Sequence, residues 1–115
     1  DLASLNSIIA VHDGDAILMA QKLSSRLGLG VGISSGANFL GALLAQARFN
    51  QEAAVVTVFP DSNKKYLSTD LLREEPVRDG YLTPDVVLEG YETIPRVCAL
   101  CPSVSQILGF STVAS

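Results

Sequence analysis

Residues 31–38 read VGISSGAN and join a short apolar run to a long helical pattern. The apolar run contains Val31 and Ile33, and it ends at two serines followed by a glycine. Apolar side chains then recur at helical spacing, which predicts a helix from about residue 36 to residue 48. This order is typical of a parallel strand that leads into a helix. The turn would therefore lie at the carboxyl end of the strand, where open α/β sheets bind their ligands.

The two serines of this turn are expected to have different roles. Ser35 is the predicted N-cap, because its hydroxyl can accept a hydrogen bond from an unpaired N–H of the first helical turn. Ser34 is then free to contact a ligand, and Gly36 allows another group to approach the backbone closely. The residue pattern alone leaves a second interpretation open, in which the turn is only a helix cap.

Two further apolar segments extend the pattern to βαβαβ. Residues 7–11 and 54–59 are short apolar runs that predict buried strands. Apolar positions between residues 16 and 27 predict a first helix, with Asp13 as its cap and Gly28 as its left-handed end. Right-handed crossovers would make the three strands parallel. The predicted fold class is α/β, a piece of a doubly wound, Rossmann-like sheet that belongs to a larger domain.

The chain changes character after Pro60. Residues 66–72 predict a short helix, residues 73–85 form a charged connector, and residues 86–91 predict an edge strand. The chain also starts at an aspartate and reaches a predicted strand within a few residues, which indicates a piece of a longer protein.

Composition and charge exclude several classes of protein. The 115 residues are 48% hydrophobic, which is enough for a core. The net charge of −4 and the scattered basic residues argue against a nucleic-acid partner. No apolar run reaches the roughly 20 residues that span a bilayer, so no membrane association is expected. Two cysteines are too few for a disulfide framework, and a reducing, cytoplasmic setting is predicted.

Residues suited to metal binding or catalysis are few. His12 is the one histidine in the sequence and is interpreted as a turn residue. Cys98 and Cys101 have the spacing of a redox motif or of half a zinc site, but a zinc site needs two further ligands. A free cysteine pair is the favoured interpretation, and neither a metal site nor a catalytic residue is predicted in this segment.

Three blocks of sequence occur in an order that carries a family resemblance. They are IAVHDGDA at residues 9–16, VGISSGA at residues 31–37, and VVTVFPDSNKKYLST at residues 55–69. Together they resemble the cysteine synthase (O-acetylserine sulfhydrylase) family of fold-type II pyridoxal-phosphate enzymes. The resemblance covers about residues 8–72. It implies that residues 1–72 are the C-terminal part of the synthase domain and that residues 73–115 are a C-terminal extension.

The resemblance also implies an activity and a site. The family uses pyridoxal 5′-phosphate to make L-cysteine from an activated serine and sulfide, and its members are homodimers. Carried over to this sequence, Ser34 hydrogen-bonds the pyridine nitrogen of the cofactor, and Ser35 and Gly36 belong to the same cofactor-binding turn. The implied partners are an amino-acid substrate and the remainder of the same enzyme.

Some features of the family pattern are absent or altered. The family's Schiff-base lysine and phosphate-binding loop have no counterpart in these residues, so the isolated chain is expected to be inactive. His12, Asn38 and Asn63 stand where the family commonly has Ser or Asn, a small residue, and Gly. Two alternatives remain open, namely a non-catalytic α/β binding or regulatory module and a Cys-x-x-Cys redox or metal module.

Overall fold

Two helices form the centre of the structure, a computed structural model in which residues 1–66, 68 and 71–95 are described. Helix α1 spans Asp13–Leu27 and helix α2 spans Ile33–Phe49. Three single turns of 3₁₀ helix accompany them, at Leu2–Ser4, Asn63–Lys65 and Thr83–Asp85. No helix in the described ranges combines the length and the hydropathy that crossing a membrane requires.

The first predicted helix is confirmed, but its cap is a different residue. His12 is the N-cap, and its Nδ1 atom accepts a hydrogen bond from the N–H of Gly14 at 3.2 Å. The cap predicted at Asp13 is therefore wrong, because Asp13 is already the first helical residue. The helix ends as predicted at Gly28, whose φ of 70° is easily reached by glycine.

The second predicted helix is also confirmed, and it begins earlier than the pattern indicated. Its N-cap is Gly32, which contributes no side-chain hydrogen bond. The prediction that Ser35 is the N-cap is wrong, since Ser35 lies inside the first turn. The serines continue the helix because a side chain from elsewhere in the chain satisfies the N–H groups of this turn, as described below.

The predicted parallel sheet is not confirmed. Over the described residues, the segments 7–11, 31–33, 54–59 and 86–91 form no strand. Ile33 already belongs to α2, and the backbone bridge that is present pairs Val31 with Ser62 in antiparallel fashion. A strand requires a hydrogen-bonded neighbour, and the segments 7–11, 54–59 and 86–91 lack one within the described part. Val56 is accordingly 92% exposed. The short helix predicted at residues 66–72 is described only in part, and residues 66, 68, 71 and 72 lie in turns.

The hydrophobic core lies between the two helices. Met19 and Leu23 of α1, Leu40 of α2 and Val31 are its buried members. Partly buried apolar side chains of the helices and of the flanking segments pack around them, namely Val11, Leu27, Leu29, Phe39, Leu82, Val86 and Leu88. Because three of these come from the predicted C-terminal extension, residues 82–88 share the core of the helix pair.

The backbones of α1 and α2 approach each other closely at Gly36. A methyl group at this position would lie 2.9 Å from the backbone nitrogen of Ala20 and closer still to the carbonyl oxygen of Ala16. The close approach predicted at Gly36 is therefore present, and the approaching group is the backbone of α1.

Polar side chains of α1 hold the extension in place. The buried carboxylate of Asp15 accepts hydrogen bonds from the N–H groups of Leu82 at 2.8 Å and Thr83 at 3.0 Å. The Lys22 ammonium donates to the carbonyl oxygen of Thr83 at 2.7 Å and to that of Val86. These contacts place residues 82–86 along one side of α1. We refer to the hydrogen bonds that Asp15 and Lys22 make with these residues as the α1 clamp.

Candidate functional site

The turn at residues 31–36 lies beside residues 61–63. The N–H of Gly32 donates to the carbonyl oxygen of Asp61 at 3.2 Å, and the N–H of Asn63 donates to that of Gly30 at 3.0 Å. This two-bond bridge on either side of Val31 brings the side chain of Asp61 to the start of α2.

The Asp61 carboxylate caps α2 from outside the helix. One of its oxygens, Oδ2, accepts the N–H of Ser34 at 3.2 Å. The other, Oδ1, accepts the N–H of Ser35 at 3.1 Å and also the Ser35 hydroxyl. The first N–H groups of a helix have no partner within the helix. Asp61 therefore supplies the cap that the sequence pattern assigned to Ser35.

These contacts change the acidity of the Asp61 carboxyl. Burial on its own raises the pKa of Asp61. The hydrogen bond from the Ser35 hydroxyl and those from the nearby backbone N–H groups outweigh that effect, so the pKa of Asp61 lies below its ordinary value of 3.8. The carboxyl is thus ionised near neutral pH, and a negative charge lies at the positive end of the α2 dipole.

The two serines are exposed to very different degrees. Ser35 is fully buried, with 0% exposure, and its hydroxyl is committed to Asp61. Ser34 is exposed, and its hydroxyl makes no hydrogen bond to any other described residue. The structure therefore separates a buried serine, bonded to Asp61, from an exposed serine, and the ligand contact predicted for Ser34 stays a prediction.

The residues at this turn fit one contact of pyridoxal phosphate. The Ser34 hydroxyl can donate to an unprotonated pyridine nitrogen. The space that a side chain would fill at Gly32 is taken by the Asp61 carboxylate, and the space at Gly36 is taken by α1. The cofactor contacts assigned to Ser34, Ser35 and Gly36 stay predictions.

The altered family positions have identifiable contacts. Asn38 donates from Nδ2 to the carbonyl oxygen of Val58 at 2.9 Å and fastens that segment to α2. Asn63 begins a 3₁₀ turn, and its side chain lies against Gly30. His12 caps α1 and also contacts the Tyr81 hydroxyl, with 3.0 Å between Nδ1 and the tyrosine oxygen.

Two residues of this region were missed by sequence reasoning. The residue pattern assigns no role to Asp61, because the helix that it caps starts far from it in the chain. His12 is interpreted from the sequence as a turn residue. No local signal identifies its contact with Tyr81, because the two residues are far apart in the chain.

Metal binding and the cysteine pair are the remaining features considered from the sequence. The described part of the chain contains no group of three or more His, Cys, Asp or Glu side chains that could hold a metal ion. Cys98 and Cys101 lie outside the described residues, so the redox and zinc interpretations of that pair stay untested.

Known proteins similar to this chain are enzymes of sulfur metabolism. No family model matches the chain. Cysteine synthase from Buchnera aphidicola is 36% identical over 75 residues, which is 64% of this chain and 24% of that protein. Cysteine synthase B from Escherichia coli is 34% identical over 76 residues, or 66% of this chain and 25% of that protein. Cysteine synthase B from Campylobacter jejuni is 40% identical over 67 residues, or 58% of this chain and 22% of that protein.

A solved structure gives a second comparison. It is a mutant of a hydrogen sulfide-producing enzyme in complex with an α-aminoacrylate intermediate. It is 59% identical with a TM-score of 0.70, and the match covers 74% of this chain and 25% of that one. By their names, these relatives belong to a class of enzymes that make cysteine or produce hydrogen sulfide. Within that class, the chain belongs to the cysteine synthase family, and it spans about a quarter of the length of the curated relatives it matches.

Proposed function

We propose that this chain is part of a pyridoxal-phosphate-dependent enzyme of the cysteine synthase family, in which Ser34 contacts the pyridine nitrogen of the cofactor. The observation that carries the proposal is the exposed Ser34 hydroxyl, which has no partner among the described residues while its neighbour Ser35 is buried. Its place at the start of α2, in a turn that matches the family's, adds support.

The chemistry of the contact agrees with reactions at the β-carbon. Bound pyridoxal phosphate withdraws electrons from the substrate's α-carbon. A neutral hydroxyl can donate to the pyridine nitrogen, but it does not hold a proton on that nitrogen as a carboxylate would. Ser34 would therefore keep the ring a moderate electron acceptor, which suits elimination and replacement better than transamination.

The first candidate reaction is the synthesis of L-cysteine. An activated serine loses its leaving group from the β-carbon, and sulfide takes that place. The remainder of the enzyme would supply the Schiff-base lysine and the phosphate-binding loop, and we expect a cytoplasmic homodimer.

The second candidate is the release of hydrogen sulfide. The sulfide-producing relative is 59% identical to this chain, whereas the cysteine synthases described above are 34–40% identical, and this difference favours the second reaction. In it, the α-carbon of a thiol amino acid such as L-cysteine loses a proton, and the bond between the β-carbon and sulfur breaks. A double bond forms between the α- and β-carbons, and the departing HS⁻ takes up a proton to leave as hydrogen sulfide.

Both candidates can be tested in one experiment on the full-length protein. Cysteine formation from O-acetylserine and sulfide is compared with sulfide release from L-cysteine, for the wild type and for Ser34→Ala. We expect bound-cofactor absorbance in both proteins and a lower rate in Ser34→Ala, with Asn38→Ala as the control in the same helix. Full-length protein without cofactor absorbance and without either activity would instead favour a non-catalytic module.

A further inference from the structure

We propose that Asp61 is a positioning residue for Ser34, so that the carboxylate fixes where the Ser34 hydroxyl meets the cofactor. This inference rests on the proposed cofactor contact of Ser34. Asp61 itself does not touch the cofactor in this proposal, and it acts through the backbone of the turn.

The contacts of Asp61 divide between its atoms in a way that suits this role. Carboxylate oxygen Oδ2 is the partner of the Ser34 N–H, and Oδ1 is the partner of the Ser35 N–H and hydroxyl. The backbone oxygen of Asp61 accepts from the N–H of Gly32 at 3.2 Å and from the Ser35 hydroxyl at 3.3 Å. Residues 32–35 are thus anchored on both sides of the Ser34 side chain.

Within the described residues, the Asp61 carboxylate is the side-chain acceptor for the N–H groups of Ser34 and Ser35. Gly32, the N-cap, contributes no side-chain hydrogen bond, and the Ser34 side chain makes none within the described part of the chain. The first N–H groups of a helix also lack helical partners. Removal of the carboxylate would therefore let the first turn of α2 change its backbone angles, and the Ser34 hydroxyl would move with them.

Two substitutions disturb the carboxylate in different ways. Asp61→Asn keeps one oxygen for Ser35 but directs an NH₂ group at the Ser34 N–H, donor against donor. Gly32→Ala keeps the charge and displaces the carboxylate, because the added methyl would lie 2.9 Å from Oδ1 and closer to Oδ2. An effect shared by both variants would come from the position of the carboxylate and not from its charge alone.

The experiment measures the cofactor nitrogen directly. Full-length enzyme is loaded with pyridoxal phosphate labelled with ¹⁵N in the ring, and the ¹⁵N chemical shift reports the hydrogen bond to that nitrogen. We expect Ser34→Ala to shift the signal, and Asp61→Asn and Gly32→Ala to shift it in the same direction by a smaller amount. Asn38→Ala removes a different hydrogen bond of α2 and should leave the signal unchanged.

The outcomes separate this inference from the proposed function. An unchanged signal in Ser34→Ala would overturn the cofactor contact itself. A shift in Ser34→Ala together with wild-type signals in folded Asp61→Asn and Gly32→Ala would overturn the positioning role alone. If Asp61→Asn does not fold, Gly32→Ala decides by the same criterion.

Discussion

At the residue scale, Ser34 and Ser35 differ in exposure because the Asp61 carboxylate lies at the start of α2. The Asp61 carboxylate covers Ser35 and leaves Ser34 at the surface. Identical side chains therefore have different contributions to stability, and this difference can be measured.

Ser35→Ala should destabilise the fold more than Ser34→Ala. The Ser35 hydroxyl is buried and bonded to a charged group, and loss of such a hydrogen bond costs about 1.5–3 kcal/mol. Ser34 is exposed, so its replacement should change the free energy of unfolding by no more than about 0.5 kcal/mol. Urea unfolding of the two variants beside the wild type measures both values. Equal destabilisation by the two substitutions would contradict the assignment.

The stabilisation by Asp61 should depend on pH. Its folded-state pKa lies below the ordinary 3.8, so the ionised form is favoured by folding. The resulting stabilisation is fully present well above pH 3.8 and is lost as the pH falls from there through the folded-state pKa. The unfolding free energies of wild type and Asp61→Asn should differ most near neutral pH and converge on acidification. Urea unfolding over a pH series checks this, and a gap that stays constant would argue against it.

At the scale of secondary-structure elements, two kinds of contact fix α1: a backbone crossing with α2 and the clamp that holds the extension. The crossing depends on the missing side chain of Gly36, and the clamp depends on Asp15 and Lys22. Each can be tested against a matched position in the same helix.

Gly36→Ala should destabilise the helix pair. The new methyl group would meet the backbone of α1, and such overpacking costs roughly 1–3 kcal/mol. Gly41→Ala is the control, since a methyl there would have nothing within 4 Å. Gly41 lies inside α2, where alanine is favoured over glycine by about 0.8–1.0 kcal/mol. Thermal or urea unfolding should therefore show changes of opposite sign, and the same sign for both would refute the crossing.

Asp15→Asn should loosen the extension. The variant keeps one acceptor oxygen and directs an NH₂ group at a buried backbone N–H. Amide hydrogen exchange at Leu82 and Thr83 should become faster, because their N–H groups lose a charged acceptor. Asp13→Asn, an exposed change in the same helical turn, should leave these amides at wild-type rates. Unchanged exchange in Asp15→Asn would show that the Asp15 carboxylate does not hold the extension.

At the scale of the whole molecule, the helix pair leaves much apolar surface uncovered. A groove of about 420 Å³ lies between residues 9–11 and 55–57, and small residues of α2 such as Ala37, Gly41 and Ala45 form part of its lining. Ile8 and Val58 are 68% and 65% exposed beside it. Exposed apolar segments of this kind promote association with other chains.

The 115-residue chain should therefore self-associate at micromolar concentration. Val56→Lys places a charge on one of these segments and should weaken the association, since Val56 is 92% exposed. Val87→Lys, at an exposed site on the extension, is the control and should have a smaller effect. Sedimentation velocity measures both, and a monomeric wild type at that concentration would contradict the expectation.

Local patterns predicted the helices because their causes are local. Apolar spacing, Gly28 and the turn at residues 31–38 belong to short stretches of sequence, and the family resemblance rests on the same stretches. The four predicted strands were not confirmed in the described residues, since a strand depends on a neighbour that an apolar run cannot specify. The exposure of Ser34 follows the prediction, whereas its cofactor contact remains to be tested.

The sequence by itself thus determined the approximate positions of α1 and α2, the close approach at Gly36 and the serine turn that identifies the family, whereas the structure showed that α1 is the approaching group. Only the tertiary structure decided which residue caps each helix and which group buries Ser35. Asp61 caps the start of α2 although it lies 27 residues beyond Ser34, and Tyr81 contacts His12 from the extension. Both contacts join residues that are distant in the chain, so their geometry comes from packing and has no counterpart in local sequence.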